Sequence, residues 1–379
     1  MARNILRSNN SIMLMTESPA FSTSDKTGVL YGGVIGSNFG FSVERQRNKQ
    51  IGTQESAFNT LNRQPNVDLS VDYIFNPMLL NETSLGFDIT PEKPFAFSNI
   101  KDKSYNFSLI SHPDEDKDGL TEYSGFNSNF SGYEAISFGN AYLNSYSVDY
   151  SLNSLGRVST SFVASNVKFE TLTGNWTHSP AINLQNGNDD NVGNILFSGF
   201  DNLPSRSKPK ILNTKDLTVS LQNLQVGGQN LSGTHFVQSL NMDINFNRVG
   251  LYGLGSDYVY DRKLQFPIEG SLSVSSLVDG FLSGQGSGLL HHESGYAFNL
   301  EFVDSTLSHT GAFEIQDARL ESYSYSMDVN GEMSFDAQFS FECTENKGLR
   351  ISGAISGVSG TWANTPILWE NADDFWSRG

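Results

Sequence analysis

Alternation of apolar and polar residues is the dominant pattern along the chain. The segment 39–43 reads Phe-Gly-Phe-Ser-Val, and the same period of two recurs over 67–73 and 240–246. In a β-strand, a period of two places successive side chains on opposite faces. The pattern therefore predicts many antiparallel strands, each buried on one face.

Parts of the chain recur later in the same order. The matched pairs of blocks are 39–71 with 242–274, 141–153 with 318–330, and 174–180 with 360–366. Their shifts are 203, 177 and 186 residues, and each block matches without a gap. In the second pair six of thirteen residues are identical, where chance gives about one. Alternation alone does not produce such matches, so the repeat predicts a duplicated β-domain.

The repeat and the turn-rich segments set the expected organisation, which is all-β with two tandem antiparallel β-sandwich or barrel domains. The expected boundaries are an N-terminal arm at 1–30, a first β-domain at 31–182, a linker at 183–216, a second β-domain at 217–366 and a C-terminal arm at 367–379. The shift is 203 residues for the first pair of blocks and 177 for the second, so the first copy has 26 additional residues between these blocks. Apolar residues at helical spacing after Pro366 predict a short C-terminal amphipathic helix.

The repeat also names the side chains that should face the two cores. They are Phe39, Phe41, Val43, Leu69 and Val71 in the first copy, and Met242, Ile244, Phe246, Leu272 and Val274 in the second.

Composition agrees with this organisation and restricts the function. The chain has 35 Gly, 27 Phe and 14 Tyr, a usage typical of short strands joined by turns. Its net charge of −17 argues against binding nucleic acid through phosphates, although DNA could still slide past such a protein. One cysteine, Cys343, excludes an intrachain disulfide. We expect no secretion signal and no membrane-spanning segment.

Candidate catalytic and metal-binding groups are weak. Asp114, Asp116 and Asp118 imitate the start of a calcium loop, but the twelfth position is Gly125 instead of Glu. A solvated acidic loop is favoured, with calcium binding as the alternative. The run 291–293 (His-His-Glu) is expected at a hairpin tip, and Cys343 is expected to be a buried or half-buried thiol. No nucleotide-binding or nucleophile motif occurs, so we expect neither a cofactor nor an enzyme.

Both halves resemble the tail tube proteins of long-tailed bacteriophages over most of 30–360. In the first half the likeness lies in SNFGFSVERQRNKQIG, PNVDLSVDYIFNPMLLNETSLGF, ISFGNAYLNSYSVDYSLNSLGRVSTSFVASNVKF and PAINLQNG. In the second half it lies in VQSLNMDINFNRVGLYGLGSDYVYDRKLQFPIEGSLSVSSLVDG and IQDARLESYSYSMDVNGEMSFDAQFSF.

The resemblance implies a β-sandwich or barrel whose sheet edges join those of neighbours in a ring. Such rings stack into a hollow tube through which the genome passes. Family members usually have one barrel per chain and six chains per ring. With two barrels, this chain would form a ring of three chains, or a ring of six with the second barrel outside.

The implied partners are other copies of the chain, the tape measure, terminator and baseplate or distal-tail proteins, and double-stranded DNA that passes without specific binding. No membrane partner is implied, and the expected location is the virion tail, assembled in the host cytoplasm. Three alternatives remain open: another tail ring protein of this fold (terminator, distal-tail or adaptor), a receptor- or glycan-binding β-protein, and a polysaccharide-cleaving enzyme.

Three further expectations concern assembly. Arg45 and Arg248 occupy equivalent positions and are candidates for subunit contacts, or else are solvated strand-end charges. The linkers 46–66 and 249–267 exceed a hairpin turn and are expected to contact the next ring, unless they are free loops. The inter-ring candidates are Ile51, Gly52, Phe58, Leu254, Gly255, Tyr258 and Tyr260. We expect an acidic inner surface, with solubility as the alternative reason for the charge.

Overall fold

The structure is a computed structural model in which part of the chain is described. The described residues are 11–18, 26–27, 29–42, 45–49, 51, 56–61, 66–75, 80–89, 96–97, 99–111, 133–151, 154–171, 195–196, 217–222, 225–226, 229–230, 237–253, 259, 261–277, 295–304, 309–327, 333–345 and 347–352.

Strands dominate the described residues of both halves, as the alternation predicts. The elements of the first half are β1 (Ser11–Ser18), β2 (Lys26–Thr27), β3 (Val29–Leu30), β4 (Val34–Ser42), β5 (Arg45–Lys49), β6 (Ser56–Leu61), β7 (Asn66–Ile74), α1 (Leu80–Ser84), β8 (Ser104–Ser111), β9 (Glu134–Ser151), β10 (Arg157–Ala164), β11 (Asn166–Thr171) and β12 (Ile195–Leu196). Those of the second half are β13 (Leu217–Gln222), β14 (Gln225–Val226), β15 (Gln229–Asn230), β16 (Val237–Asn245), β17 (Arg248–Leu251), β18 (Asp261–Leu264), β19 (Ile268–Leu277), β20 (Tyr296–Asp304), β21 (His309–Met327), β22 (Met333–Cys343) and β23 (Leu349–Ser352). The predicted all-β class is confirmed.

A continuous antiparallel sheet runs through both halves, and we call it the shared sheet. Its strand order is β4–β7–β10–β9 in the first half, followed by β16–β19–β22–β21 in the second. The second half thus repeats the order of the first. Strands β9 and β16 join the two halves edge to edge.

A second sheet covers one face of the shared sheet in each half. In the first half its order is β3–β1–β8–β9–β11, and in the second half it is β13–β20–β21–β23. The long strands β9 and β21 belong to two sheets, because their N-terminal parts pair in the covering sheet and their C-terminal parts pair in the shared sheet. Each half is therefore a β-sandwich.

The apolar core lies between the shared sheet and the covering sheets. Leu69, Val71, Met242, Ile244 and Leu272 are buried there, as predicted from the alternation. Phe246 is buried as well, Val274 is partly buried against the same core, and Val43 lies outside the described residues. Alternation thus identified the core face of these strands correctly.

Phe39 and Phe41 point to the predicted core face but remain partly exposed. Phe39 lies opposite Leu69 in the strand pairing, and Phe41 lies opposite Val67, so both point to the core face. They are nevertheless 38% and 57% exposed. The reason is that β4 is the outermost described strand of the shared sheet, so no described strand lies beyond it, although Phe39 still contacts Phe138 and Phe169 of the covering sheet.

Part of the expected N-terminal arm is described in the structure, whereas the expected C-terminal arm is not. Residues 11–18, assigned to an N-terminal arm, form β1, which pairs with β8 along its whole length. The expected C-terminal helix at 367–379 lies outside the described residues, as does most of the linker at 183–216. None of the described helices is long and apolar enough to cross a membrane.

Candidate assembly interface

The joint between β9 and β16 shows how one half of this chain binds the other. The register runs from Ser151 opposite Ser239 to Ser145 opposite Asn245. The core-facing pairs are Tyr150 with Leu240, Val148 with Met242, and Tyr146 with Ile244, and all six side chains are buried. Continuous backbone hydrogen bonding and a continuous core therefore unite the halves. We call this contact the internal joint.

Arg248, the first residue of β17, reinforces the internal joint. Its Nε donates to the carbonyl oxygen of Leu143 at 2.9 Å, and its Nη2 donates to that of Ile100 at 2.9 Å. Its Nη1 donates to the carbonyl oxygens of Lys101 and Arg262 at 3.1 and 3.0 Å. Three of these four acceptors belong to the first half, so the guanidinium binds the halves together. Its position is a junction within the chain, and the side chain of its counterpart Arg45 lies outside the described residues.

The segment 96–103 of the first half packs against the second half beside this joint. The ring of Phe97 contacts the ring of Phe246 edge-on, with centroids 4.9 Å apart. The amide of Ala96 donates to the carbonyl of Leu349 at 3.0 Å. Two exposed ion pairs, Lys101–Glu345 at 2.8 Å and Lys263–Asp102 at 3.0 Å, add little energy but agree with this placement.

A buried carboxyl group lies next to the internal joint. Glu82, in α1, accepts hydrogen bonds at Oε1 from the hydroxyls of Tyr73 (2.7 Å) and Tyr146 (3.0 Å). Burial raises the pKa of Glu82, and the two tyrosine hydrogen bonds oppose the rise. Because Tyr146 belongs to the internal joint, this carboxyl group links α1 to the strands at the centre of the shared sheet.

Sequence reasoning missed both Glu82 and the segment 96–103. The signal for the segment was the surplus of 26 residues in the first copy, part of which falls between β7 and β8. The signal for Glu82 was a single carboxylate within the otherwise uncharged run 73–87. A lone charge in such a run needs a buried partner.

The shared sheet ends in two edges without a neighbour among the described strands. The first edge is β4, which pairs only with β7 there. The second is the segment 319–327 of β21, whose one described neighbour is β22. Large apolar side chains are exposed at both edges, namely Phe39 and Phe41 on β4 and Tyr325 on β21. Exposed edges of this kind are sites for pairing with another chain.

The face of the shared sheet turned away from the core is polar and acidic, and we call it the polar face. Strand alternation places mainly serine, asparagine and acidic side chains there. Its acidic residues in the described strands are Asp68, Asp72, Asp149, Asp243, Glu269, Glu321, Asp336 and Glu342. Its basic residues there are Arg157 and Arg319, and Arg157 lies 3.9 Å from Asp72. The face carries a clear excess of negative charge.

The predicted inter-ring linkers contain two-stranded ribbons at equivalent positions. One ribbon is β5–β6 and the other is β17–β18. Ile51, at the end of the first ribbon, is fully exposed, and Val249, Leu251 and Tyr252 are exposed on the second. The remaining candidates (Gly52, Leu254, Gly255, Tyr258, Tyr260 and the side chain of Phe58) lie outside the described residues.

Few of the candidate metal-binding and nucleophilic residues lie in the described part of the chain. No group of three potential metal ligands occurs in it, and Asp114, Asp116, Asp118 and 291–293 lie outside it. Cys343 is buried as expected, and burial raises the pKa of its thiol to about 12. A protonated, inaccessible thiol is a poor nucleophile.

No protein-family model and no curated protein matches the chain. Parts of solved tail structures are similar to it. A chain from the virion of a native gene transfer agent particle has 17% identity and a TM-score of 0.28, over 37% of this chain and 98% of that one. The SPP1 tail tube has 10% identity and a TM-score of 0.30, over 45% and 81%. A chain of the anti-feeding prophage baseplate has 12% identity and a TM-score of 0.26, over 36% and 91%.

Proposed function

We propose that this chain is the wall-forming subunit of a bacteriophage tail tube, which polymerises as stacked rings around a channel for DNA. The observation that carries the proposal is the internal joint, where two sandwiches with the same strand order already join edge to edge. The resemblance of both halves to tail tube sequences supports the same function. The role is structural and needs no catalytic residue or cofactor.

Ring closure follows from the uncovered edges of the shared sheet. An open sheet with exposed apolar edges is prone to uncontrolled pairing, and a closed ring removes every edge. Copies of this chain can close the sheet if the β21 edge of one copy meets the β4 edge of the next. The closed sheet then forms the inner wall, and its polar face lines the channel.

Two sandwiches per chain suggest a ring of three chains. The common strand order supports our assignment of a duplicated domain at 31–182 and 217–366. If six sandwiches close the ring, three chains supply them with pseudo-sixfold symmetry. A ring of six chains, with the second sandwich outside, leaves the internal joint unused in the wall and is disfavoured. Three-fold or six-fold symmetry of the cross-section distinguishes the two.

The two ribbons are proposed to make the contacts between rings. They recur at the same position in both halves, and the exposed apolar residues at Ile51, Leu251 and Tyr252 offer contact area. Tape measure, terminator and baseplate or distal-tail proteins are the further partners implied by this function, and the proposed location is the virion tail.

The polar face explains how DNA could pass without binding. Duplex DNA carries one negative charge per about 1.7 Å, and basic walls would hold it by releasing counterions. The acidic residues of the polar face repel phosphates within roughly 8–10 Å at physiological salt. The proposed channel therefore favours sliding. A surface-potential map of assembled tubes dominated by basic side chains would contradict this part of the proposal.

Electron microscopy of the purified full-length protein in negative stain tests the proposed function. Long tubes of uniform diameter support a tube subunit. Single rings that do not stack favour a terminator, distal-tail or adaptor protein of the same fold. Monomers at all concentrations, together with binding to glycans, would replace the proposal with receptor binding.

A further inference from the structure

The internal joint has the same strand types as the two edges of the shared sheet. A shift of 177 residues carries the joint segment of β9 onto the edge segment of β21. A shift of 203 residues in the other direction carries β16 onto β4. The chain therefore contains one formed example of a β9-type strand paired with a β4-type strand. It also contains one strand of each type whose outer edge has no neighbour among the described strands.

Exposure of the edge side chains matches this relationship. Phe39 is 38% exposed, whereas its counterpart Met242 in the internal joint is fully buried. Phe41 is 57% exposed, whereas its counterpart Ile244 is 1% exposed. Tyr325 on the other edge is 37% exposed, although its counterpart in β9 is buried. Equivalent positions are thus apolar in the internal joint and at the edges of the shared sheet, but their side chains are buried only in the internal joint.

We infer that β21 of one copy pairs antiparallel with β4 of a second copy in the register of the internal joint, with Tyr325 opposite Phe39 and Tyr323 opposite Phe41. The occupant of each edge is therefore the other edge of the same chain. This inference rests on the proposed function, and it adds the residue pairing of the intersubunit joint. The aromatic pairs extend the core across the subunit boundary, and aromatic pairs across strands are stabilising.

The polar face of the proposed joint is compatible with close pairing. In this register Ser324 lies opposite Gly40, and Ser322 lies opposite Ser42. These residues are small and uncharged, so no like charges face each other across the boundary. A side chain added at Gly40 meets no other described atom within 4 Å, so the polar face is uncrowded at this position.

Register can be tested with four double-cysteine variants of the full-length chain. The in-register variants combine Ser42→Cys with Ser322→Cys, and Asn38→Cys with Ser326→Cys. The offset variants exchange the partners, as Ser42→Cys with Ser326→Cys and Asn38→Cys with Ser322→Cys. The offset of four residues separates the thiols by about 14 Å along the strands, at about 3.4 Å per residue. Each introduced cysteine occurs once among the in-register variants and once among the offset variants. The native Cys343 is buried.

Assembled protein is oxidised briefly, and covalent products are separated under denaturing, non-reducing conditions. We expect both in-register variants to give intersubunit disulfides severalfold faster than both offset variants. Equal or faster cross-linking of the offset variants, while tubes form normally, would overturn the register and leave the proposed function standing. Failure of the wild-type protein to assemble at all would overturn the proposed function itself.

Discussion

Asn140 and Asp317 both have a left-handed backbone conformation, with φ of 51° and 59°. They are 177 residues apart, which is the shift that relates their strands β9 and β21. Each lies where its strand passes from the covering sheet to the shared sheet. Asparagine and aspartate tolerate this conformation better than other non-glycine residues. The bend is therefore built by the same backbone device in both halves.

Asp317 allows the contribution of this conformation to be measured. Asp317→Gly and Asp317→Ala both remove the exposed ion pair with Lys347. We expect the alanine variant to be less stable than the glycine variant by about 1 kcal/mol, because only alanine is strained at positive φ. Urea unfolding of the two variants measures the difference. Equal stability would show that the bend is not strained.

Arg248 and Arg45 should affect different properties of the protein. Arg248→Ala leaves four carbonyl oxygens without their charged donor, so we expect a loss of about 3 kcal/mol in the stability of the isolated chain. Arg45→Ala should change that stability by less than about 0.5 kcal/mol. It should weaken assembly, because Leu320, the counterpart of the acceptor Leu143, lies in the next copy across the proposed joint. Thermal unfolding of dilute protein and sedimentation of concentrated protein separate the two effects.

A loss of isolated-chain stability in Arg45→Ala as large as that in Arg248→Ala would contradict this division. Arg45→Lys is a useful companion, since it keeps the charge but loses the forked donor geometry. We expect it to restore assembly only in part.

Phe41 provides a direct test of the apolar edge. Phe41→Lys should leave the fold intact, because the side chain is already largely exposed in the isolated chain. It should abolish assembly, because a charge would be buried without a partner at the subunit boundary. Phe41→Leu is the matched control and should still assemble. Circular dichroism verifies folding, and light scattering follows assembly. Normal tubes from Phe41→Lys would exclude this edge from the interface.

Glu82 predicts a pH dependence of stability. Its pKa is raised above the ordinary value of about 4.5, so the folded state holds the proton more tightly than the unfolded state. Stability from this group is complete below the ordinary pKa and is lost as pH rises towards the folded-state pKa. Glu82→Gln should therefore match the wild type near pH 4 and exceed it at neutral pH. Denaturant unfolding at both pH values tests this, and an unchanged difference between the two proteins would refute it.

The distal ends of the ribbons can be removed without touching the core. Replacing 49–55 and 252–258 with short Gly-Ser turns should give folded protein that forms rings but no tubes, because stacking contacts are lost while edge pairing and the core residue Leu264 remain. Shortening one ribbon at a time shows whether both halves contribute. Full-length tubes from the doubly shortened chain would rule out a stacking role.

Local pattern predicted the faces of strands but not their neighbours. The period of two in 67–73 and 240–246 correctly placed Leu69, Val71, Met242 and Ile244 in the core. The same period in 39–43 could not show that β4 is an outer strand, because strand order depends on contacts distant in sequence. For the same reason the internal joint was not predicted.

Local sequence pattern also did not predict the polar contacts between residues distant in sequence. The equivalence of Arg45 and Arg248 marked both as important, but the carbonyl acceptors at Ile100 and Lys101 belong to the surplus segment without an evident copy. Glu82 depends on Tyr146, 64 residues away, and no spacing rule connects them. Such contacts are fixed by the tertiary fold.

The short side chains of the polar face affect what a molecule inside the proposed tube would touch. Serine, asparagine and aspartate hold ordered water and project little from the backbone. The moving DNA would therefore meet mainly water bound to these short side chains, since Arg157 and Arg319 are the only basic residues of this face in the described strands. Friction along the tube would then be set by water exchange at the wall, and it would be similar at every ring because every subunit presents the same surface.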